Sequence, residues 1–189
     1  MHLFKSLVLY MALLCGANAA LAADLSAVEG LREGDMKKLV IHDAPKPVGK
    51  TAFLSEDGGE MTLGELEGKW LVVNFWATWC APCKEEMPEL SALQEKFGGD
   101  DFEVVTIASS GQNPPPAIAA FFEEVGVSNL PGHREDRPAL AREMGVMARP
   151  VTLIVSPEGQ EVARLRGEAD WFSDSAQSIV ETLISGDGG

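Results

Sequence analysis

Two cysteines three residues apart carry the clearest chemical signal in this sequence. Cys80 and Cys83 stand in the stretch FWATWCAPCKEEMPEL, residues 75–90, and the only other cysteine is Cys15. A disulfide that closes so short a loop removes little chain entropy from the unfolded state, so a purely structural bridge is a poor explanation. The pair is suited to reversible thiol–disulfide exchange or to binding a soft metal ion.

The elements around the pair indicate how it is positioned. Residues 69–76 (KWLVVNFW) form a continuous apolar run that predicts a buried strand, and apolar residues then recur at helical spacing from Cys80 to Phe97. Cys80 is therefore expected at a helix N-terminus, where unpaired amides and the helix dipole favour a thiolate. Pro82 suits the first helical turn. Cys83, one turn further in, would attack a mixed disulfide formed at Cys80.

The rest of the chain predicts an α/β fold. A strand–helix–strand start requires a parallel pair, and a later hairpin adds antiparallel strands to the same sheet. The result is a mixed β-sheet flanked by helices on both faces. The segments behind this prediction are a hairpin at 52–63, strands at 102–108, 151–156 and 161–166, and helices at 113–125, 140–144 and 173–184.

The N-terminus predicts export. Residues 1–23 contain Lys5, an apolar stretch and then small residues, the layout of a cleaved signal peptide, although an uncleaved membrane anchor is the alternative. We expect residues 24–46 to form an N-terminal extension and residues 47–189 to form the domain.

The formal net charge of −14 would repel phosphate backbones, so nucleic acid is not an expected partner.

Two stretches resemble a known family. NFWATWCAPCKEEMP and GVMARPVTLIVSPEGQEVARLRG (residues 145–167) are similar to the thioredoxin superfamily and, more narrowly, to the TlpA/ResA/CcmG group of exported thioredoxin-like reductases. The resemblance covers about residues 47–184. It implies that Pro150 is a cis-proline beside the cysteines that contacts the substrate chain. Arg149, where many relatives carry a smaller or apolar residue, and Trp79 are the other candidate substrate contacts.

The resemblance also implies a proton acceptor. Thioredoxin has an aspartate on the strand beneath the cysteines, but this chain has Asn74 there. The exported reductases carry a glutamate in the helix after the motif, and Glu86 matches it. Since Glu86 lies three residues beyond Cys83, the two share a helix face. Partial burial would raise the glutamate pKa and let it accept the Cys83 proton; the alternative is a solvated surface glutamate.

The function implied is that of a periplasmic thiol–disulfide oxidoreductase acting as a reductant. Its redox centre would be the Cys80–Cys83 disulfide, with no other cofactor. Its substrates would be oxidised cysteine pairs in apocytochromes or copper-site proteins during respiratory complex maturation. A membrane thiol donor would supply electrons, and the protein would act as a monomer.

A Cu(I)-binding or copper-delivery module is the alternative. Cys80 and Cys83 would supply soft sulfur ligands, and His133 or Met147 would complete the site. Beyond the pair, the exported part of the chain offers only His42 and His133 as imidazole ligands, fewer than a closed four-ligand site needs. No resident metal is therefore expected.

A peroxidase of the same fold is a weaker alternative, because WCAPC does not resemble the cysteine region of such enzymes.

Overall fold

The computed structural model describes residues 25–111 and 113–186. The strands are β1 (Val40–Pro47), β2 (Phe53–Leu54), β3 (Glu60–Met61), β4 (Trp70–Trp76), β5 (Phe102–Ala108), β6 (His133–Arg134), β7 (Val151–Val155) and β8 (Gln160–Arg166). The helices are α1 (residues 25–31), α2 (Ala81–Phe97), α3 (Pro115–Val125), α4 (Ala139–Glu143) and α5 (Asp174–Gly186).

All these strands join one mixed sheet in the order β1-β8-β7-β4-β5-β6-β2-β3. The central strand β4 runs parallel to β5 over seven consecutive pairs, from Trp70↔Phe102 to Trp76↔Ala108. On its other side β4 runs antiparallel to β7, with Phe75 opposite Val151. The carboxyl end of β4 therefore lies beside the first residue of β7. The predicted mixed sheet is confirmed.

Alternating side chains of β4 divide the core into two layers. Val72 and Trp76 point into a layer that is covered by α1, α2, α3 and α5. Val73 and Phe75 point into the opposite layer, which is covered by α4 and a 3-10 turn at Leu63–Leu66. This alternation follows from the strand repeat of two residues. Helices on both faces of the sheet, as predicted, are confirmed.

The segment assigned to an N-terminal extension is integrated into the fold. Within it, α1 and a 3-10 turn at Gly34–Lys38 precede β1, and β1 pairs antiparallel with β8. Val28, Met36 and Leu39 are buried in the core. The predicted boundary between residues 46 and 47 thus falls inside a strand. Leu25, Val28 and Leu31 recur every three residues, but over so short and polar a stretch this helical pattern is weak.

Strand β1 is paired unevenly. Its register with β8 shifts between Ile41 and Lys46, so the middle of the strand bulges away from the ladder. In that bulge His42 contacts the buried carboxylate of Glu161, with 2.6 Å between Nε2 and Oε1. Arg164 binds the same carboxylate through Nε and Nη2 at 2.6 Å each. Its Nη2 also donates to the carbonyl of Met144 at 3.1 Å.

The predicted leader and Cys15 lie outside the described residues. In the part of the chain that the structure covers, none of the helices has the length and apolar character that a membrane span requires.

Candidate redox site

Cys80 and Cys83 form a disulfide at the start of α2. Cys80 is the N-cap residue, and its Sγ accepts a hydrogen bond from the Cys83 amide at 3.3 Å. Pro82 occupies the first turn, where a missing amide hydrogen costs nothing. Cys80 is 5% exposed and Cys83 is 0% exposed. The outward position of Cys80 relative to Cys83 agrees with the prediction, but its exposure in the oxidised protein is small.

Glu86 is almost fully buried, one helical turn beyond Cys83. Its Oε1 accepts a hydrogen bond of 2.8 Å from Nδ2 of Asn74 on β4. Its Oε2 accepts bonds of 3.3 Å from the Ala169 amide and from the indole Nε1 of Trp171. The surface-glutamate alternative is therefore wrong as a description of where Glu86 lies.

Burial raises the pKa of Glu86 from 4.5 to about 8, while the three donated hydrogen bonds act in the opposite direction. The nearby Glu89, half-buried, has its pKa raised by desolvation and by the charge of Asp170. A carboxyl group with a pKa near neutrality can both accept and release a proton under physiological conditions. Glu86 has the properties of an acid–base group.

Asn74, which the resemblance matches to the aspartate of thioredoxin, lies on β4 and contacts Glu86. Its Nδ2 donates to Thr152 Oγ1 at 2.9 Å as well as to Glu86. Thr152 is the residue directly opposite Asn74 on β7. Asn74 therefore connects the acidic side chain on α2 to the strand that begins after Pro150.

Trp79 is 65% exposed and flanks Cys80. Its indole Nε1 donates to Ser110 Oγ at 3.3 Å. By contrast, Trp76 is buried, with its ring centroid 4.4 Å from that of Phe121. Of the two tryptophans beside the motif, Trp79 leaves much of its apolar surface exposed and Trp76 packs in the core.

The loop after β5 holds the turn that leads into the cysteine pair. Asn113 Oδ1 accepts hydrogen bonds from the amide and hydroxyl of Thr78 at 3.0 and 3.1 Å, and its Nδ2 donates to Ser110 at 2.7 Å. The sequence predicts a helix that begins at residue 113, with Asn113 suited to cap it, but the N-cap of α3 is Pro114. Asn113 instead makes a long-range contact, which a local cap signal cannot indicate.

The Arg149–Pro150 peptide bond is cis, as the resemblance implies. Since Phe75 is paired with Val151, Pro150 lies at the edge of the sheet where β4 ends and the cysteine motif follows.

The guanidinium of Arg149 is half-buried and donates through Nη2 to the carbonyl of Ser109. Burial lowers the pKa of Arg149, and the charge of Glu135 opposes that shift. Arg149 is thus partly engaged by its own chain.

The residues considered as further copper ligands, His133 and Met147, differ in their surroundings. His133 is paired with Ile107, whose side chain belongs to the layer opposite the cysteines, and its ring packs on Phe53. Its Nδ1 accepts from the Glu56 amide at 3.1 Å. Met147 is well exposed. Within the described ranges, no group of three or more His, Cys, Asp or Glu side chains is arranged to hold a metal ion.

A small acidic cavity of about 160 Å³ lies next to Glu86. Its charged lining comes from the turn before β1, from α2 and from the loop after β8, and consists of Asp35, Glu85, Glu86, Glu89, Glu168 and Asp170. Sequence reasoning missed Ala169 and Trp171 as partners of Glu86. Nothing in the spacing of residues 167–171 places them against α2.

The mixed sheet, the disulfide at a helix N-terminus and the cis-proline beside it define a thioredoxin-like protein. The chain belongs to the AhpC/TSA family, which matches residues 40–163. The resemblance to the ResA-type group is confirmed by relatives that carry that name.

Two relatives and one solved structure illustrate the similarity. The thiol-disulfide oxidoreductase ResA of Bacillus subtilis (strain 168) is 32% identical over 117 residues, which cover 61% of this chain and 64% of that protein. The ResA of Oceanobacillus iheyensis is 30% identical over 142 residues, covering 74% of this chain and 71% of the relative. A thiol:disulfide interchange protein of the thioredoxin family from Chlorobium tepidum TLS has a similar fold, with a TM-score of 0.60 and 23% identity over 76% of this chain and 99% of that one. The match to the Bacillus protein thus spans slightly less than two thirds of that protein's length.

Proposed function

We propose that this protein is an exported thiol–disulfide oxidoreductase that reduces disulfides in other proteins. The observation that carries the proposal is the Cys80–Cys83 disulfide at the N-terminus of α2, with the buried carboxyl of Glu86 one turn further along. The names of the ResA relatives support the same reaction class.

The reaction would follow from the unequal positions of the two sulfurs. In the dithiol form, the Cys80 thiolate is stabilised by the helix N-terminus and attacks one sulfur of a substrate disulfide, which expels the other substrate sulfur as a thiolate. The Cys83 thiol then loses its proton and attacks the Cys80 sulfur of the mixed disulfide. This step releases the second substrate thiolate and re-forms the Cys80–Cys83 disulfide, so two electrons pass to the substrate.

Glu86 would accept the proton that Cys83 loses. Its pKa of about 8 allows the ionised form to be present and the protonated form to be stable near neutral pH. The substrate chain would contact the exposed indole of Trp79 on one side and the cis Arg149–Pro150 segment on the other. The Arg149 charge lies at the same edge of the sheet, although one of its donors is already used by Ser109.

The finer parts of the proposal concern location and partners. The leader at residues 1–23 favours the periplasm, where a membrane thiol donor would return the disulfide to the dithiol. Cysteine pairs of apocytochromes or copper-site proteins are the substrates that the family resemblance implies, and the protein would act as a monomer.

Trapping of mixed disulfides tests this proposal. In a Cys83→Ser variant the mixed disulfide at Cys80 cannot be resolved, so disulfide-linked substrate proteins should accumulate in the cell envelope. A Cys80→Ser, Cys83→Ser variant is the matched control and should trap none. Absence of trapped proteins from the single variant, together with wild-type protein that does not reduce a model peptide disulfide, would contradict the proposal.

A further inference from the structure

Three hydrogen-bond donors converge on the buried Glu86 carboxylate from two separate parts of the chain. Asn74 approaches Oε1 from the central strand at 2.8 Å. The Ala169 amide and the Trp171 indole approach Oε2, each at 3.3 Å, from the loop between β8 and α5. Glu86 and Trp171 are both almost completely buried. The carboxylate is therefore held at both oxygens.

The indole of Trp171 differs from the other buried tryptophans. The indole N–H groups of Trp70 and Trp76 are buried and meet no acceptor among the described residues. The side chains of Trp70 and Trp76 pack in the core through their apolar surfaces. Trp171 directs its polar atom at an ionisable group, which a purely apolar packing role does not require.

The loop that carries Trp171 is itself fixed at several points. The Trp171 amide donates to Glu89 Oε2 at 3.1 Å, and the Asp170 amide donates to Asp35 Oδ2 at 3.3 Å. At the start of the loop, the Gly167 amide donates to the carbonyl of Pro150 at 3.0 Å. One short segment therefore contacts both the acid–base group and the cis-proline.

We propose that Trp171 is a positioning residue for disulfide exchange: its indole N–H holds the Glu86 carboxylate in one orientation and stabilises the ionised form that accepts a proton. The inference rests on the proposed role of Glu86 and adds the residue that controls it. Trp171 acts through Glu86 and does not itself contact the reacting sulfurs in this scheme.

The charged groups around Glu86 come from every element packed against it. Asp35 and Lys38 face it from the turn before β1, Glu168 and Asp170 from the loop after β8, and Glu85 and Glu89 from its own helix. Asn74 and Thr152 are its uncharged neighbours in the sheet. A Trp171→Phe variant leaves all these groups in place and removes the indole N–H together with part of the ring volume, so it needs a control that loses the same volume elsewhere.

The first experiment needs no variant. In the oxidised protein the cysteines do not titrate, so the Glu86 side-chain carbon can be followed by NMR across pH. The indole N–H resonance of Trp171 should titrate with the same midpoint as Glu86. The indole resonance of Trp70 is the internal control and should not follow that midpoint. A Trp171 resonance that is insensitive to Glu86 ionisation would overturn the inference.

The second experiment compares Trp171→Phe with Trp70→Phe, which removes a buried indole of the same size without removing a contact to Glu86. Loss of a hydrogen bond to a charged group should raise the Glu86 pKa by about one unit in Trp171→Phe, and Trp70→Phe should leave it unchanged. The ionised fraction at pH 7, and with it the rate of mixed-disulfide resolution, should then fall about tenfold.

The pKa of Glu86 and the rate of mixed-disulfide resolution together distinguish the role proposed for Trp171 from the role proposed for Glu86. An unchanged Glu86 pKa in Trp171→Phe would overturn the positioning role. A raised pKa, with Glu86→Gln resolving mixed disulfides at the wild-type rate and pH profile, would overturn the role of Glu86 itself and leave Trp171 as a structural contact. If Trp171→Phe does not fold, the wild-type indole titration still decides the inference.

Discussion

Burial of the Glu86 carboxyl couples protonation to folding. Because desolvation raises its pKa from 4.5 to about 8, the folded chain holds this proton more tightly than the unfolded chain does. The stability that this proton contributes is fully present below about pH 4.5. It is lost as the pH rises through about 8. Cys80 and Cys83 do not titrate while they are disulfide-bonded, so they add nothing to the pH dependence of stability in this range.

Glu86→Gln should therefore flatten the pH dependence of unfolding. In the oxidised wild type, Glu86 should contribute a slope of up to about 1.4 kcal/mol per pH unit between pH 5 and 8. The amide of Gln does not titrate, so this contribution disappears. Urea unfolding at several pH values measures it, and Glu85→Gln, which changes an exposed neighbour, is the control. Equal slopes for wild type and Glu86→Gln would contradict the pKa assignment.

The two cysteines should also differ in reactivity once reduced. Cys80 lies at the helix N-terminus and is the more accessible of the two, while Cys83 is enclosed by the core. We expect iodoacetamide to modify Cys80 much faster than Cys83 near neutral pH. Mass spectrometry of the reduced protein after timed alkylation gives both rates. Comparable rates would remove the basis for assigning Cys80 as the attacking sulfur.

At the scale of elements, the loop after β5 supports the turn before Cys80 through one side chain. Asn113→Ala would leave the amide and hydroxyl of Thr78 without their acceptor. We expect a loss of about 1–3 kcal/mol in the free energy of unfolding. Asn129→Ala, which removes exposed contacts to Ser91, should cost less than about 0.5 kcal/mol. Urea unfolding of the two variants compares them, and similar losses would argue against a specific role for Asn113.

The elements that the sequence predicts well are those with strong local patterns. Strands β4, β5 and β7 are largely apolar runs, β8 follows a turn-rich stretch at residues 157–160, and α2 shows a clear helical period. The two-residue strand β6 (His133–Arg134) has no such pattern, because it forms only where Ile107 and Ala108 offer a pairing edge. Its existence depends on the tertiary structure and not on its own residues.

The residues of the candidate site also differ in whether the sequence predicts them. The cysteine pair follows from a local motif, and Glu86 and Pro150 follow from the family resemblance. The partners of Glu86 on the loop after β8, Ala169 and Trp171, lie 83 and 85 positions away from it along the chain. A single sequence contains no signal for contacts over such separations, so only the structure brings them together.

For the whole molecule, the N-terminal segment is part of the core. Leu39 is 0% exposed, whereas its neighbour Val40 is 53% exposed. Leu39→Ala should therefore lower the free energy of unfolding by about 2–5 kcal/mol, because it removes buried apolar surface and leaves a cavity. Val40→Ala is the matched control and should change it by about 0.5 kcal/mol or less. Equal effects in urea unfolding would mean that residues 25–46 are not packed as described.

The bulge in β1 has a consequence for how the protein opens. Ladder pairs hold β1 to β8 only near its two ends, whereas β4 and β5 are joined without interruption. Backbone amides of β1 should therefore exchange with deuterium through a local opening of lower free energy than the amides of β4 and β5 require. Hydrogen exchange followed by mass spectrometry orders these events, and slower exchange in β1 than in β4 would contradict it. Such an opening would detach the N-terminal segment while the strand and helix that carry the disulfide stay folded.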